Sequence, residues 1–157
     1  MSFAPVYTKT CKVLILGTYP SPASKDIGFY YGYRYNRFWP MMARLLDAPA
    51  PDSIEEKKNL LLMHDIAVWD VLESCDIKGA SDSSITNPVP NPVWEIVQIS
   101  QIKRIFLNGS KALQLYKKFC LPKIDLPYCK MPSTSPANAR YTMDKLLNEW
   151  CKIRKYL

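Results

Sequence analysis

Five short stretches carry the side chains with chemistry to offer. Gly17-Thr18-Tyr19-Pro20-Ser21 follows an apolar run, and Phe29 to Trp39 interleaves aromatic rings with Arg34 and Arg37. Asp70 and Asn108 each end a further apolar run, and Pro132-Ser133-Thr134-Ser135-Pro136-Ala137-Asn138 forms a polar loop. Rings alternating with arginine suit stacking on nucleobases and contact with phosphates. Phe38 and Trp39 read as core packing. The tyrosines between Tyr30 and Tyr35 are harder to bury, because each hydroxyl needs a partner, so at least one is expected to face a ligand. The hydroxyls and backbone N–H groups of Ser133, Thr134 and Ser135 suit phosphate contact, or an ordinary turn that caps the last helix. Asn36 can cap the helix that follows it, worth about 1 kcal/mol.

Other chemistries lack their parts. No G-K-[ST] follows Gly17, so there is no phosphate-cradling loop, and no G-x-G-x-x-G dinucleotide fingerprint occurs. His64 is the only histidine, and it falls before the second apolar run, away from the other stretches. The five cysteines, Cys11, Cys75, Cys120, Cys129 and Cys151, form no C-x-x-C pair. That spacing gives neither a disulfide framework nor a zinc or iron–sulfur site, and suits reduced thiols. No cofactor or metal is expected.

The elements that must position these groups follow from periodicity. Lys12–Leu16, Ile66–Val71, Arg104–Leu107 and Leu126–Met131 read as short buried strands. Helices are predicted over Arg37–Leu46, with Phe38, Met41, Met42 and Leu45 on one face, then from Asp52 or Ser53 to Met63. Further helices are expected over Val93–Ile99, after an Asn91-Pro92 start, over Ser110–Phe119, and over Arg140–Tyr156. Strands alternating with helices imply an α/β fold: a three-layer α/β/α sandwich on a central, mainly parallel four-stranded sheet, with residues 1–157 as one domain. Right-handed crossovers would gather the C-terminal strand ends on one edge, where ligands bind in such sheets. Three loops, Thr18–Tyr35, Asp70–Ser84 and Pro132–Ala139, are expected to meet there, with Asn108 beside them.

Composition narrows the partner. Apolar residues make up 48% of the 157, enough for a core, and the formal net charge of +7 points to a polyanion. Met1–Thr10 lacks a signal-peptide core, and no apolar run approaches the roughly 20 residues that span a bilayer. The expectation is an intracellular, non-membrane protein acting in the cytosol or nucleoid as a monomer.

Taken in order, the motifs resemble the uracil-DNA glycosylase superfamily. Its mismatch-specific uracil/thymine enzymes have a G-x-N-P turn and then N-R-F-W. The hypoxanthine-DNA glycosylase branch looks closer, with Y-Y before N-R-F-W, then L-W-D-V-L-x-S-C, F-N-G and L-P-S-T-S-P-A-N. This chain has Tyr30-Tyr31, Asn36-Arg37-Phe38-Trp39, Val68 to Cys75, Phe106 to Gly109 and Met131 to Asn138, so the likeness runs over about residues 12–140.

The resemblance implies a site. Where the mismatch enzymes place a catalytic Asn or Asp, this chain has Tyr19, whose phenol is a poor substitute at neutral pH. The hypoxanthine branch also lacks that residue, which moves the catalytic expectation to Asn36, holding a water for attack at C1′. Tyr31 would stack on the extruded base, with Thr18 and Tyr19 beside it. Asp70 either accepts the N1–H of hypoxanthine or is a buried acid bonded to backbone N–H groups. Asn108 either reads the base or makes the Asn-Gly turn. Ser133, Thr134, Ser135 and Asn138 would press on the DNA backbone. With no lysine poised for Schiff-base chemistry, the implied activity is monofunctional excision of a deaminated base from single- or double-stranded DNA. Other readings are a G:U/G:T mismatch enzyme, a DNA-binding module without catalysis, and a small-nucleotide hydrolase.

Overall fold

The sheet is built from β1 (Val13–Gly17), β2 (Ile66–Asp70), β5 (Arg104–Asn108) and β6 (Tyr128–Met131). A computed structural model gives the structure, describing residues 2–79 and 81–157. Met1, and Ala80 inside the expected Asp70–Ser84 loop, lie outside the described residues. The four strands run parallel in the order β2-β1-β5-β6. Every residue of β1 and β2 is buried, which is why both read as unbroken apolar runs rather than as alternating ones.

Three helices precede β2: α1 (Pro22–Ile27), α2 (Phe38–Leu45) and α3 (Ile54–Leu62). Then come α4 (Val93–Ile99) before β5, α5 (Ser110–Phe119) before β6, and α6 (Met143–Trp150) near the C-terminus. Right-handed crossovers put α2 and α3 on one face of the sheet and α4 and α5 on the other, because the chain steps outward from β1 in opposite directions. The strand order reverses beside β1, so the crevice between the C-terminal ends of β1 and β5 is the expected ligand position in such a sheet.

Local chemistry sets most helix boundaries. Ser53 and Glu56 form a reciprocal capping box on α3. Phe38, Met41, Met42 and Leu45 are buried along one face of α2, as the periodicity requires. α6 begins at Met143, capped by Thr142, and its last turn passes into a 3-10 segment, Cys151–Tyr156. The expected closing helix from Arg140 is therefore shorter, because the Thr142 side chain takes the Lys145 N–H and starts the helix later.

Two further expectations are corrected. The Asp70–Ser84 segment is not a plain loop: β3 (Leu72–Asp76) pairs antiparallel with β4 (Thr86–Pro90), and a 3-10 turn, Asp82–Ser84, lies between them. Pro88, Pro90 and two register shifts hide this hairpin, since proline normally argues against a strand. Asn91 does not cap α4. It is buried and donates to the Asp70 carbonyl oxygen and to Ser2 Oγ, which ties the end of β2 to the N-terminal strap. That strap also accepts hydrogen bonds at Phe3 O from Trp69 Nε1 and at Ala4 O from Tyr30 Oη.

Candidate active site

A cavity of about 500 Å³ opens where the C-terminal strand ends meet the loops, within the roughly 300–1,000 Å³ usual for small-molecule sites. It brings together Gly17 ending β1, Thr18 and Tyr19 after it, Tyr31 and Asn36 before α2, Asp70 ending β2, Asn108 ending β5, and Ser133 to Ala137 after β6. The expected loops do converge there. Asn138 does not line this cavity: its amide donates to Ser133 O, and it borders a second depression next to the first.

The Thr18–Tyr35 segment is irregular only in part. Ser21 caps α1 by accepting from Ser24 N–H, with Pro22 in the first turn. Ser24 is buried, and its Oγ accepts from Gly32 N–H, which folds the tyrosine-rich stretch back over α1. The four tyrosines divide by role. Tyr30 is core. Tyr31 stacks on Phe38 with ring centroids 4.0 Å apart. Tyr33 and Tyr35 are exposed and meet edge to face, with Arg34 over the Tyr35 ring. Tyr31 holds a left-handed backbone, φ 52°, which costs a non-glycine residue about 1–2 kcal/mol and turns its ring under the cavity.

Asn36 is held by two side-chain contacts. Its Oδ1 accepts the Phe38 N–H at 3.0 Å and the Thr134 hydroxyl at 2.8 Å. Thr134 is buried. Its Oγ1 accepts from Asn108 Nδ2 and its N–H donates to Asn108 Oδ1. The Phe38 amide can only donate, so it fixes which end of the Asn36 side chain is oxygen. Nδ2, with two hydrogens to donate, is what Asn36 keeps for the cavity. Asn36 is not the cap of α2, which starts after Arg37 with no side-chain cap; its oxygen end closes the turn into the helix and its other end is left to the site. Asn108 likewise does more than turn the chain, because it clamps the Thr134 backbone.

Arg37 was expected to reach phosphate. Instead its guanidinium is occupied with main-chain carbonyls: it donates to Thr134 O, Ser135 O, Asn138 O and Tyr141 O. Five fixed N–H donors suit that fork of acceptors. Trp150 Nε1 donates to Pro132 O from α6. The Ser/Thr/Pro loop is therefore held from α2 and α6. Nothing local in the sequence marks those carbonyls as the partners of Arg37.

Asp70 is the unusual group. It is 4% exposed, no hydrogen bond reaches its carboxylate among the described residues, and Oδ2 is buried. The expected alternative, an acid bonded to backbone N–H groups, is not what the fold provides. Burial first, and the nearby Asp82 charge second, push its pKa from 3.8 up to about 7. Asp82 comes from the turn of the β3–β4 hairpin and was not singled out in the sequence. Its residue is exposed, but enclosure of the carboxyl at the cavity raises its pKa, with Lys111 pulling the other way. Tyr31 Oη is also buried without a hydrogen-bond partner. Burial and the Asp70 charge raise its pKa, and Asn108 offsets part of the rise without closing a hydrogen bond. Tyr19 Oη accepts from Lys25 Nζ at 3.0 Å.

Among the described residues no cluster of His, Cys, Asp or Glu could hold a metal ion, and the five cysteines are free thiols. No described helix is long and apolar enough to cross a membrane.

Comparison with known proteins gives a consistent set. A family model described as Uracil DNA glycosylase superfamily matches residues 4–156. A Hypoxanthine DNA glycosylase of Methanosarcina acetivorans is 30% identical over 150 residues, 94% of this chain and 93% of that protein. A Hypoxanthine DNA glycosylase of Methanosarcina barkeri is 25% identical over 112 residues, 70% of this chain and 71% of that protein. Among solved structures, the solution NMR structure of a Methanosarcina acetivorans protein, named there provisionally as a uracil DNA glycosylase, superimposes with a TM-score of 0.83. It is 27% identical, with 97% of this chain and 94% of that chain covered.

Proposed function

This chain belongs to the uracil DNA glycosylase superfamily, and on that premise we propose that it excises hypoxanthine from DNA by hydrolysing the N-glycosidic bond, leaving an abasic site. That it is a DNA glycosylase follows from the family and its relatives; the base is our reading. The observation that carries the reading is the unpartnered Asp70 carboxylate, set in one cavity with the donor end of Asn36. An acceptor and a donor are what the N–H of a deaminated purine edge and a departing anion require.

The nucleotide must first leave the stack, which costs a few kcal/mol and least at a mismatch. The exposed Tyr33–Tyr35 pair and Arg34 suit contact with neighbouring bases and phosphates. The rigid loop from Ser133 to Ala137 supplies hydroxyls and N–H groups for the backbone on either side. Inside, Asp70 accepts the N1–H of hypoxanthine. The C1′–N9 bond breaks with its electron pair on the base, the water oxygen bonds C1′, and the proton that water gives up passes through solvent to the departing base anion, which leaves as the neutral base. Asn36 Nδ2 orients that water and donates toward the charge growing on the base. Asn36 is the catalytic residue in this reading, and Thr134 and Asn108 position it. In this reading the protein acts on DNA as a monomer in the cytosol.

A second reading, uracil excision, is favoured by the name of the solved structure. Duplexes carrying hypoxanthine, uracil, xanthine or thymine decide between them. Hypoxanthine release fastest of the four is expected. Uracil release alone transfers the assignment, and release from none removes it.

A further inference from the structure

Two buried polar groups that the protein leaves unpaired stand side by side in the cavity. An ideal Cβ on Gly17 would lie 2.6 Å from Asp70 Oδ1 and 3.0 Å from Tyr31 Oη, so both oxygens pack closely against this glycine, and both residues line the cavity. Buried groups without partners are rare in folded proteins, and each costs about 1–3 kcal/mol. The fold holds them in place all the same. The Tyr31 ring is stacked on Phe38 and cannot swing its hydroxyl away, and Asp70 ends a strand buried along its whole length.

We infer that Asp70 and Tyr31 read one edge of the extruded base together, the carboxylate accepting a ring N–H and the phenol donating to the carbonyl oxygen beside it. The substrate class is then a base with an HN–C=O edge. Hydrolytic deamination creates that edge from N=C–NH2, turning adenine into hypoxanthine and cytosine into uracil. The parent bases place a ring lone pair against the carboxylate, which repels it, and an amino group where the phenol would donate. Such mismatches of buried polar groups discriminate far better than differences of shape. Guanine and thymine carry the same edge, and pairing in the duplex protects them from extrusion. The inference rests on the base-excision reading and assigns Tyr31 a specificity role through its hydroxyl as well as through its ring.

The test uses binding, so that it does not depend on turnover. Oligonucleotides carry deoxyinosine, deoxynebularine (a purine lacking both O6 and N1–H) or deoxyadenosine, each fluorinated at the sugar 2′ position so that the bond survives, and affinity is read by anisotropy. Wild type is expected to bind inosine more tightly than the other two. Tyr31→Phe keeps the stack on Phe38 and should lose about tenfold on inosine, the worth of one hydrogen bond, and almost nothing on nebularine. Asp70→Asn, which can turn an N–H2 toward an unprotonated ring nitrogen, should shrink the inosine-over-adenosine preference by a similar factor. Equal losses on inosine and nebularine in Tyr31→Phe, or an unchanged preference in Asp70→Asn, overturn the inference. If wild type shows the binding contrast but releases no base from cleavable DNA, the excision reading fails while the edge reading stands.

Discussion

Thr134 Oγ1 donates a 2.8 Å hydrogen bond to Asn36 Oδ1 across 98 positions of sequence, and with the Phe38 N–H, which can only donate, it holds the oxygen end of the asparagine away from the cavity. The hydroxyl is itself held by Asn108 Nδ2 at 3.1 Å, so the orientation is set from β5 as well as from the loop after β6.

Replacing that hydroxyl tests the arrangement. Thr134→Val leaves the Asn108 Nδ2 group without its partner and Asn36 Oδ1 with the Phe38 N–H alone, at a stability cost of about 1 kcal/mol. It should slow single-turnover base release at least tenfold, while Thr134→Ser restores it. Melting temperature and release rate measured side by side separate the two effects. A valine variant with wild-type release would remove the positioning role.

Gly17→Ala addresses the close approach of Asp70. The new methyl carbon would stand 2.6 Å from Oδ1, so the carboxylate must move. Release should drop sharply while the far-ultraviolet circular dichroism stays native. Unchanged release would mean that the position of Asp70 is unimportant.

The raised pKa of Asp70 makes stability depend on pH. Between roughly pH 4 and 7 the folded protein holds a proton that the unfolded chain has lost, so this residue makes stability fall as pH rises through that window and stay low above it. Asp82 adds to the rise, and Tyr30 and Tyr31 couple to the same charge. Asp70→Asn should therefore stabilise the protein more at pH 8 than at pH 5, by up to a few kcal/mol at about 1.4 kcal/mol per pKa unit. Because the ionised form accepts the base N–H, wild-type release should increase with pH through about 7, and that limb should vanish in the variant. Chemical denaturation at the two pH values and a pH–rate profile check both.

Arg37→Lys keeps the charge and loses the fork. The carbonyls of Thr134, Ser135, Asn138 and Tyr141 would lose most of their shared donor. Amide exchange over residues 133–141 should quicken and release should fall, at a stability cost of about 2 kcal/mol. Unaltered exchange in that loop would contradict the clamp.

Tyr33→Ala and Tyr35→Ala remove exposed rings that support nothing in the core. Each should weaken DNA binding by about 1–3 kcal/mol, the usual worth of a base stacked on an aromatic ring, with little change in the salt slope. A titration at two ionic strengths reads both quantities.

Periodicity and caps act over a few residues, so they are written in the sequence. The run KVLIL, the buried face of α2 and the Ser110–Phe119 helix could be read directly, and alternating elements placed Thr18, Tyr31, Asn36, Asp70, Asn108 and Ser133 at one sheet edge. The β3–β4 hairpin escaped because its prolines and register shifts imitate a loop. Which partners Arg37 takes, that Asp70 and Tyr31 are buried without one, and that Asn36 meets Thr134 were decided only by tertiary structure. Each depends on which atoms distant in sequence arrive within about 3 Å of a polar group and which do not, and residue types alone do not specify distance.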